Sequence, residues 1–178
     1  MRRFITTILV SAALAAIVGA QGQTAKPSLA EQVKMIQRNR ELYKIAVYNG
    51  LTQAEKFDPL ERAHVSTELA KEFGAEMRKA AEHHDSARVV ELGQHLNRVV
   101  DQGVAANLSL ARKNIKVGSK SEEALRDRRD KALEDLKSLE ESIRQNLGPD
   151  NSKEVESILK GIREGRTKVE KAAEATEK

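Results

Sequence analysis

The chain lacks cysteine and tryptophan altogether, and its 178 residues include only two tyrosines, three phenylalanines and three prolines. Without cysteine there is no disulfide framework, thiol nucleophile, iron–sulfur cluster or cysteine-ligated zinc site. The few aromatic rings leave little surface on which single-stranded bases could stack. With three prolines and ten glycines, the composition is also unlike that of a collagenous or proline-rich chain.

The first twenty residues have the pattern of a secretory signal peptide. Arg2 and Arg3 form a positive segment, the run Phe4–Val18 is largely apolar, and small residues end at Ala20, where signal peptidase would cleave. An uncleaved membrane anchor is the alternative, although the run is shorter than the ~20 apolar residues of a typical spanning helix. The sequence therefore predicts export of a bacterial type, either to the periplasm or out of the cell.

The charge of the remaining chain does not favour one class of polyanionic partner. The formal net charge is +4, but removing Arg2 and Arg3 leaves 29 basic against 27 acidic side chains. Both signs are interspersed from Glu31 onward, so we expect no binding to nucleic acid. No later apolar run approaches the length of a membrane span, so no stable membrane insertion is expected after cleavage.

Hydrophobic periodicity predicts an all-α protein. Apolar residues recur at steps of three and four, as on one face of a helix, and no stretch alternates long enough to form a strand. We expect about five helices in an elongated up-and-down antiparallel bundle, or in splayed helical hairpins, because short loops make successive helices antiparallel neighbours. Residues 21–27 are predicted to be a disordered lead, 28–174 a single helical domain, and 175–178 a frayed tail.

Capping residues indicate where the helices begin and end. A serine or aspartate side chain at a helix start accepts hydrogen bonds from backbone N–H groups that have no helical partner. The first helix is expected to end at Asn49-Gly50, because both residue types tolerate positive φ. One face of this helix is formed by Leu29, Val33, Ile36, Tyr43 and Val47, which recur at steps of three and four residues. The predicted starts are Ser28, Asp58-Pro59, Asp85-Ser86, Ser119 and Ser152.

The third predicted helix, of about 30 residues, has the widest apolar stripe. Such a stripe indicates a central helix with neighbours on more than one side, and it places Leu96 and Val100 in the middle of the core. Gly93 and Gly103 each lower the helix propensity by ~1 kcal/mol relative to alanine. We interpret them as points where a neighbouring helix approaches closely, with kinks as the alternative.

The last predicted helix carries a weaker stripe and ends in an alanine-rich sequence. A thin core would leave some apolar surface available after folding. We therefore predict that Val155, Leu159, Ile162 and Val169 face a groove that receives a partner helix. Within this helix, Gly161 and Gly165 are interpreted as a weak, flexible spot.

Candidate chemistry is sparse. His83 and His84, next to acidic residues at a predicted helix end, could bind a divalent metal together with His95 of the following helix. Adjacent histidines point about 100° apart on a helix, however, unlike the i,i+4 pairs of strong metal motifs. A histidine near a helix C-terminus is also favourable with the helix dipole. No nucleophile or phosphate-binding motif is present, so we predict a protein that is not an enzyme and has no cofactor.

Two segments resemble known families. Residues 57–100 resemble a helical domain of unknown function in exported or membrane-anchored bacterial proteins, which implies a helical fold but no activity. The matching residues are Asp58, Pro59, Arg62, Ala63, Leu69, Ala70 and Asp85. Residues 51–55 are similar to the Leu-Thr-x-x-Gln motif of small periplasmic stress chaperones, except that Glu55 stands in place of the glutamine and no second copy is present.

These observations favour an exported, non-catalytic helical protein that binds a protein partner or itself through a groove between amphipathic helices. The first alternative is a periplasmic chaperone or stress protein that shields unfolded clients. The second alternative is a metal-binding protein that uses the His83-His84 cluster. If the protein binds a partner, substitutions in the apolar groove should weaken that binding. If it binds a metal, substitutions of the histidines should abolish metal binding instead.

Overall fold

A computed structural model describes residues 28–148 and 152–174. The predicted signal peptide, the lead at 21–27, the turn residues 149–151 and the tail at 175–178 lie outside the described residues. Across the described ranges, all regular secondary structure is helical, which confirms the all-α prediction.

Six helices account for the described chain, close to the five expected. They are α1 (Leu29–Arg38), α2 (Arg40–Glu55), α3 (Pro59–Glu82), α4, α5 (Lys120–Leu147) and α6 (Lys153–Ala172). Helix α4 runs over residues 86–114 in three consecutive segments. These are the α-helical Ser86–Arg98, the π-helical Val99–Ala105 and the α-helical Ala106–Asn114.

The extra helix arises because the first predicted helix is divided at Asn39. Its second part does not end at Asn49-Gly50 as expected, since both residues lie within α2. The side-chain amide of Asn49 donates a hydrogen bond of 3.0 Å to the carbonyl of Ile45. A glycine inside a helix costs only ~1 kcal/mol relative to alanine. The prediction of a helix end there is therefore wrong.

The chain divides into two compact units, one ending at Asn39 and the other beginning at Arg40. This junction lies within the range 28–174, for which the sequence predicts one domain. In the first unit, the side chains of Leu29, Val33 and Ile36 on α1 are exposed. The sequence placed these three residues on one helix face together with Tyr43 and Val47, but the break at Asn39 puts them on a separate helix. The second unit contains α2 to α6.

In the second unit, helices α3 to α6 begin where the capping residues indicate. The Asp58 carboxylate accepts a hydrogen bond from the Leu60 N–H at 3.0 Å, and Asp85 caps α4 in the same way. The hydroxyl groups of Ser119 and Ser152 accept from backbone N–H groups at the starts of α5 and α6, each at 3.3 Å. These bonds satisfy donors that the helices themselves leave without partners.

Helices α3 to α6 form the bundle that contains the core. Helix α3 packs against α4 and α5, α6 packs against the same two helices, and α4 also contacts α5. Leu96 is fully buried and Val100 is 2% exposed. Helix α4 corresponds to the third helix predicted from the sequence. The prediction that this helix is central, with neighbours on several sides, is confirmed. Helix α2 packs against α3.

The two glycines of α4 mark close contacts, as predicted. A Cβ atom on Gly93 would overlap Ile158 of α6, and one on Gly103 would lie 2.7 Å from the hydroxyl oxygen of Ser66 on α3. Gly103 lies in the π-helical segment, and the buried side-chain amide of Asn107 donates to its carbonyl at 2.7 Å. This bond satisfies a carbonyl at the altered helical turn.

Candidate interaction surface

The four residues predicted to line a partner groove lie in the core instead. Val155, Leu159 and Val169 have no exposed surface, and Ile162 is 1% exposed. The expectation that this stripe of α6 stays available after folding is therefore wrong. A partner helix could reach these side chains only if the bundle opened.

The glycines of α6 provide the physical reason for this burial. A Cβ atom on Gly161 would overlap the side-chain amide of Asn97, and one on Gly165 would lie 2.9 Å from a methyl group of Val100. The absence of these two Cβ atoms lets α6 approach α4 closely enough to cover its own stripe. The interpretation of Gly161 and Gly165 as a flexible spot is wrong, because both are contact positions.

The histidines are not brought together as a metal site. His83 and His84 are exposed in the turn after α3, where His84 has a φ of 53°. His95 instead stacks on Phe73, with ring centroids 5.9 Å apart and planes inclined by 24°. Burial lowers the pKa of His95 below its usual value, which favours the neutral ring. Among the described residues, no group of three or more His, Asp or Glu side chains could hold a metal ion.

Two buried glutamates stabilise helix contacts rather than form a reactive pair. Glu122 accepts hydrogen bonds from the Gly118 N–H, from Arg126 at 3.1 Å and from Arg112 at 3.3 Å. The bond from Gly118 is the largest cause of the lowered pKa of Glu122, and the two arginines act in the same direction. Glu140 is likewise surrounded by arginines of α5 and α6. Each carboxylate has cationic partners, as a structural ion pair does.

A cavity between α3, α4 and α5 is too small for an organic ligand. Its volume is about 40 Å³, and its walls include Ala70, Val104 and Leu139. At its edge, the Lys71 ammonium lies 3.6 Å from the Asp135 carboxylate. Ligand pockets usually enclose roughly 300–1,000 Å³, whereas this volume suits a few water molecules.

An apolar surface remains exposed on α2. Val47 is 60% exposed, Tyr48 70% and Leu51 57%, and Ala54 is also exposed. We call these four residues the α2 face. Residues three and four apart are neighbours on a helix, so the four side chains form one contiguous patch. Phe57, just after the helix, is 97% exposed.

The opposite side of α2 is held against the bundle. Leu42 is 6% exposed and belongs to the core. The Gln53 side-chain amide donates a hydrogen bond of 2.7 Å to the Ser66 hydroxyl on α3. Because these contacts fix the rotation of α2 about its axis, the α2 face is directed away from the core.

The periodicity of the sequence does not reveal this surface, although another signal of it is present. The segment 42–48, LYKIAVY, is apolar on both sides of a helix rather than on one. The sequence placed Tyr43 and Val47 together on one helix face. In the structure Leu42 is buried, Tyr43 is half-buried and Val47 is exposed. When a helix is apolar on two sides and packs against its neighbours with only one of them, the apolar side chains of the second side stay exposed.

No protein-family model, curated protein sequence or solved structure matches this chain. The resemblances of residues 57–100 and 51–55 therefore stay expectations. Within residues 28–148 and 152–174, no helix is both long enough and apolar enough to cross a membrane.

Proposed function

We propose that this chain is an exported, non-catalytic interaction protein that binds a protein partner or a second copy through the α2 face. One observation carries the proposal: Val47, Tyr48 and Leu51 are each more than half exposed on adjacent turns of a helix whose other side is anchored. Contiguous apolar patches larger than a few hundred Å² are uncommon on monomeric surfaces and mark interaction sites. An amphipathic helix face is also a recurrent mode of protein recognition.

Photo-crosslinking in the producing cells tests this proposal. A photoreactive phenylalanine analogue at position 51 should form adducts on illumination, because Leu51 would lie inside the contact. The matched control is the same analogue at position 117, since Val117 is 74% exposed but lies outside α2, in the loop before α5. Equal adduct yields at the two positions, or none at position 51, would contradict the proposal. A broad set of adducts would favour the chaperone alternative.

Export is the second part of the proposal, and it is supported by Arg2, Arg3 and the Phe4–Val18 run. The protein recovered from cells should be found outside the cytoplasm and begin at Gln21. N-terminal sequencing of the native protein checks this. An intact Met1 or Arg2 on the mature protein would show that the segment is retained.

A further inference from the structure

We infer that the partner of the α2 face is a second copy of this chain, bound antiparallel so that Arg40 of each copy lies opposite Glu55 of the other. This inference rests on the proposed function, because it names the partner for the same surface.

The spacing of the exposed residues on α2 suits another helix. Arg40, Lys44, Val47, Leu51 and Ala54 follow one another at alternating steps of four and three, and all five are exposed. This is the spacing with which two helices pack side by side along a seam. Of these five residues, the three apolar ones lie in the middle and the C-terminal part of α2, and the two basic ones lie in its N-terminal part.

The charges at the two ends make the surface complementary to itself. Arg40 is the first residue of α2 and Glu55 the last, and both are exposed. They are 15 residues apart, which corresponds to four turns plus about 60° and a distance of about 22 Å along the helix. In a parallel pair like charges would meet at each end. In an antiparallel pair each end meets the opposite charge, as a two-fold symmetric interface requires.

The same register joins apolar surface in the middle. With Arg40 opposite Glu55, the two-fold axis passes between Val47 and Tyr48. Val47 of each copy therefore lies opposite Tyr48 of the other. Tyr48 supplies a large, rigid contact area. Lys44 lies opposite Leu51, where its aliphatic stem can cover the leucine.

Charge reversal tests the register on the full-length protein. Sedimentation equilibrium should show a concentration-dependent dimer for the wild type. Arg40→Glu and Glu55→Arg should each weaken the dimer by roughly ten-fold in Kd, since two symmetric ion pairs become repulsive. The double variant, and a 1:1 mixture of the two single variants, should restore wild-type affinity. Leu51→Ser should weaken the dimer, while Val117→Ser should leave it unchanged.

Cysteine crosslinking checks the register without reversing charge. The chain has no cysteine of its own, so single introduced thiols report one position each. A short bismaleimide should join Arg40→Cys to Glu55→Cys in a mixture. It should not join either variant to itself, because identical positions would lie about 22 Å apart along the helices. The reverse pattern would show a parallel pair and overturn the inference.

The outcomes separate this inference from the proposed function. If Leu51→Ser weakens the dimer but charge reversal does not, the register is wrong and the α2 face still binds. If the wild type sediments as a monomer at all concentrations while position 51 crosslinks to another protein, the second copy is refuted and the proposed function stands. If position 51 also forms no adduct, both are refuted.

Discussion

Helices α6 and α2 both carry a run of apolar residues at helical spacing, yet they differ in whether those residues are covered. The stripe Val155, Leu159, Ile162 and Val169 of α6 is buried, whereas Val47, Tyr48 and Leu51 of α2 are exposed. Helix α6 packs against α4 and α5, whereas α2 packs against α3. The difference teaches that apolar side chains are covered on the side of a helix where neighbouring helices pack, and that α2 has apolar side chains on a second side as well.

The largest expected effect compares the same substitution on the two helices. Leu159→Ser should lower the free energy of unfolding by about 3–5 kcal/mol, because it leaves a cavity and buries a hydroxyl group. At a protein concentration low enough for the chain to be monomeric, Leu51→Ser should change it by less than about 0.5 kcal/mol, as exposed substitutions usually do. Urea denaturation followed by circular dichroism measures both. The comparison fails if the two variants unfold at the same urea concentration.

Much of the bundle could be predicted from the sequence, because local chemistry determines it. Asp58 and Ser119 cap helices as their side chains dictate, and the widest stripe marks the central helix α4. Gly93 was correctly assigned to a close contact, because a glycine inside a strongly apolar helix suggests a packed neighbour. These features depend on residues that are close together in the chain.

The candidate site could not be predicted, because it depends on how separate helices meet. Gly161 and Gly165 lie among charged residues, and only their contacts with Asn97 and Val100 show that they draw α6 onto α4. The rotation of α2 is set by Leu42 and by the bond from Gln53 to α3. No periodicity within α2 reveals which of its two apolar sides those contacts cover.

The next effect compares a buried with an exposed carboxylate. Glu140 on α5 is 11% exposed and lies within 3.4 Å of Arg144, 3.7 Å of Arg163 and 3.3 Å of Arg166. Glu140→Gln should lower stability by about 1–3 kcal/mol, because it leaves three guanidinium groups without their shared anion. In the monomer, at low protein concentration, Glu55→Gln on α2 should change stability by less than about 0.5 kcal/mol. Thermal unfolding of both variants at low salt checks this, and equal melting temperatures would contradict the role of Glu140.

A smaller loss is expected where α4 meets α6. Gly93→Ala adds a methyl group that would overlap the buried side chain of Ile158. The overlap should cost about 1–3 kcal/mol, and the better helix propensity of alanine offsets up to about 1 kcal/mol of it. A net loss in chemical denaturation is expected. A variant as stable as the wild type would show that α6 can shift away from α4 at little cost.

The smallest effect is a gain, and it tests the exposed side of α2 directly. Gly50 lies inside α2, and a Cβ atom built there has nothing within 4 Å among the described residues. Gly50→Ala should therefore raise stability by about 0.5–1 kcal/mol through helix propensity alone. Gly148→Ala is the control that should lose stability, because Gly148 has a φ of 76°, which alanine rarely adopts. Measurement at low protein concentration keeps self-association from contributing to the result. A loss for Gly50→Ala would mean that something covers this side of α2 within a single copy, and the contrast with α6 would then disappear.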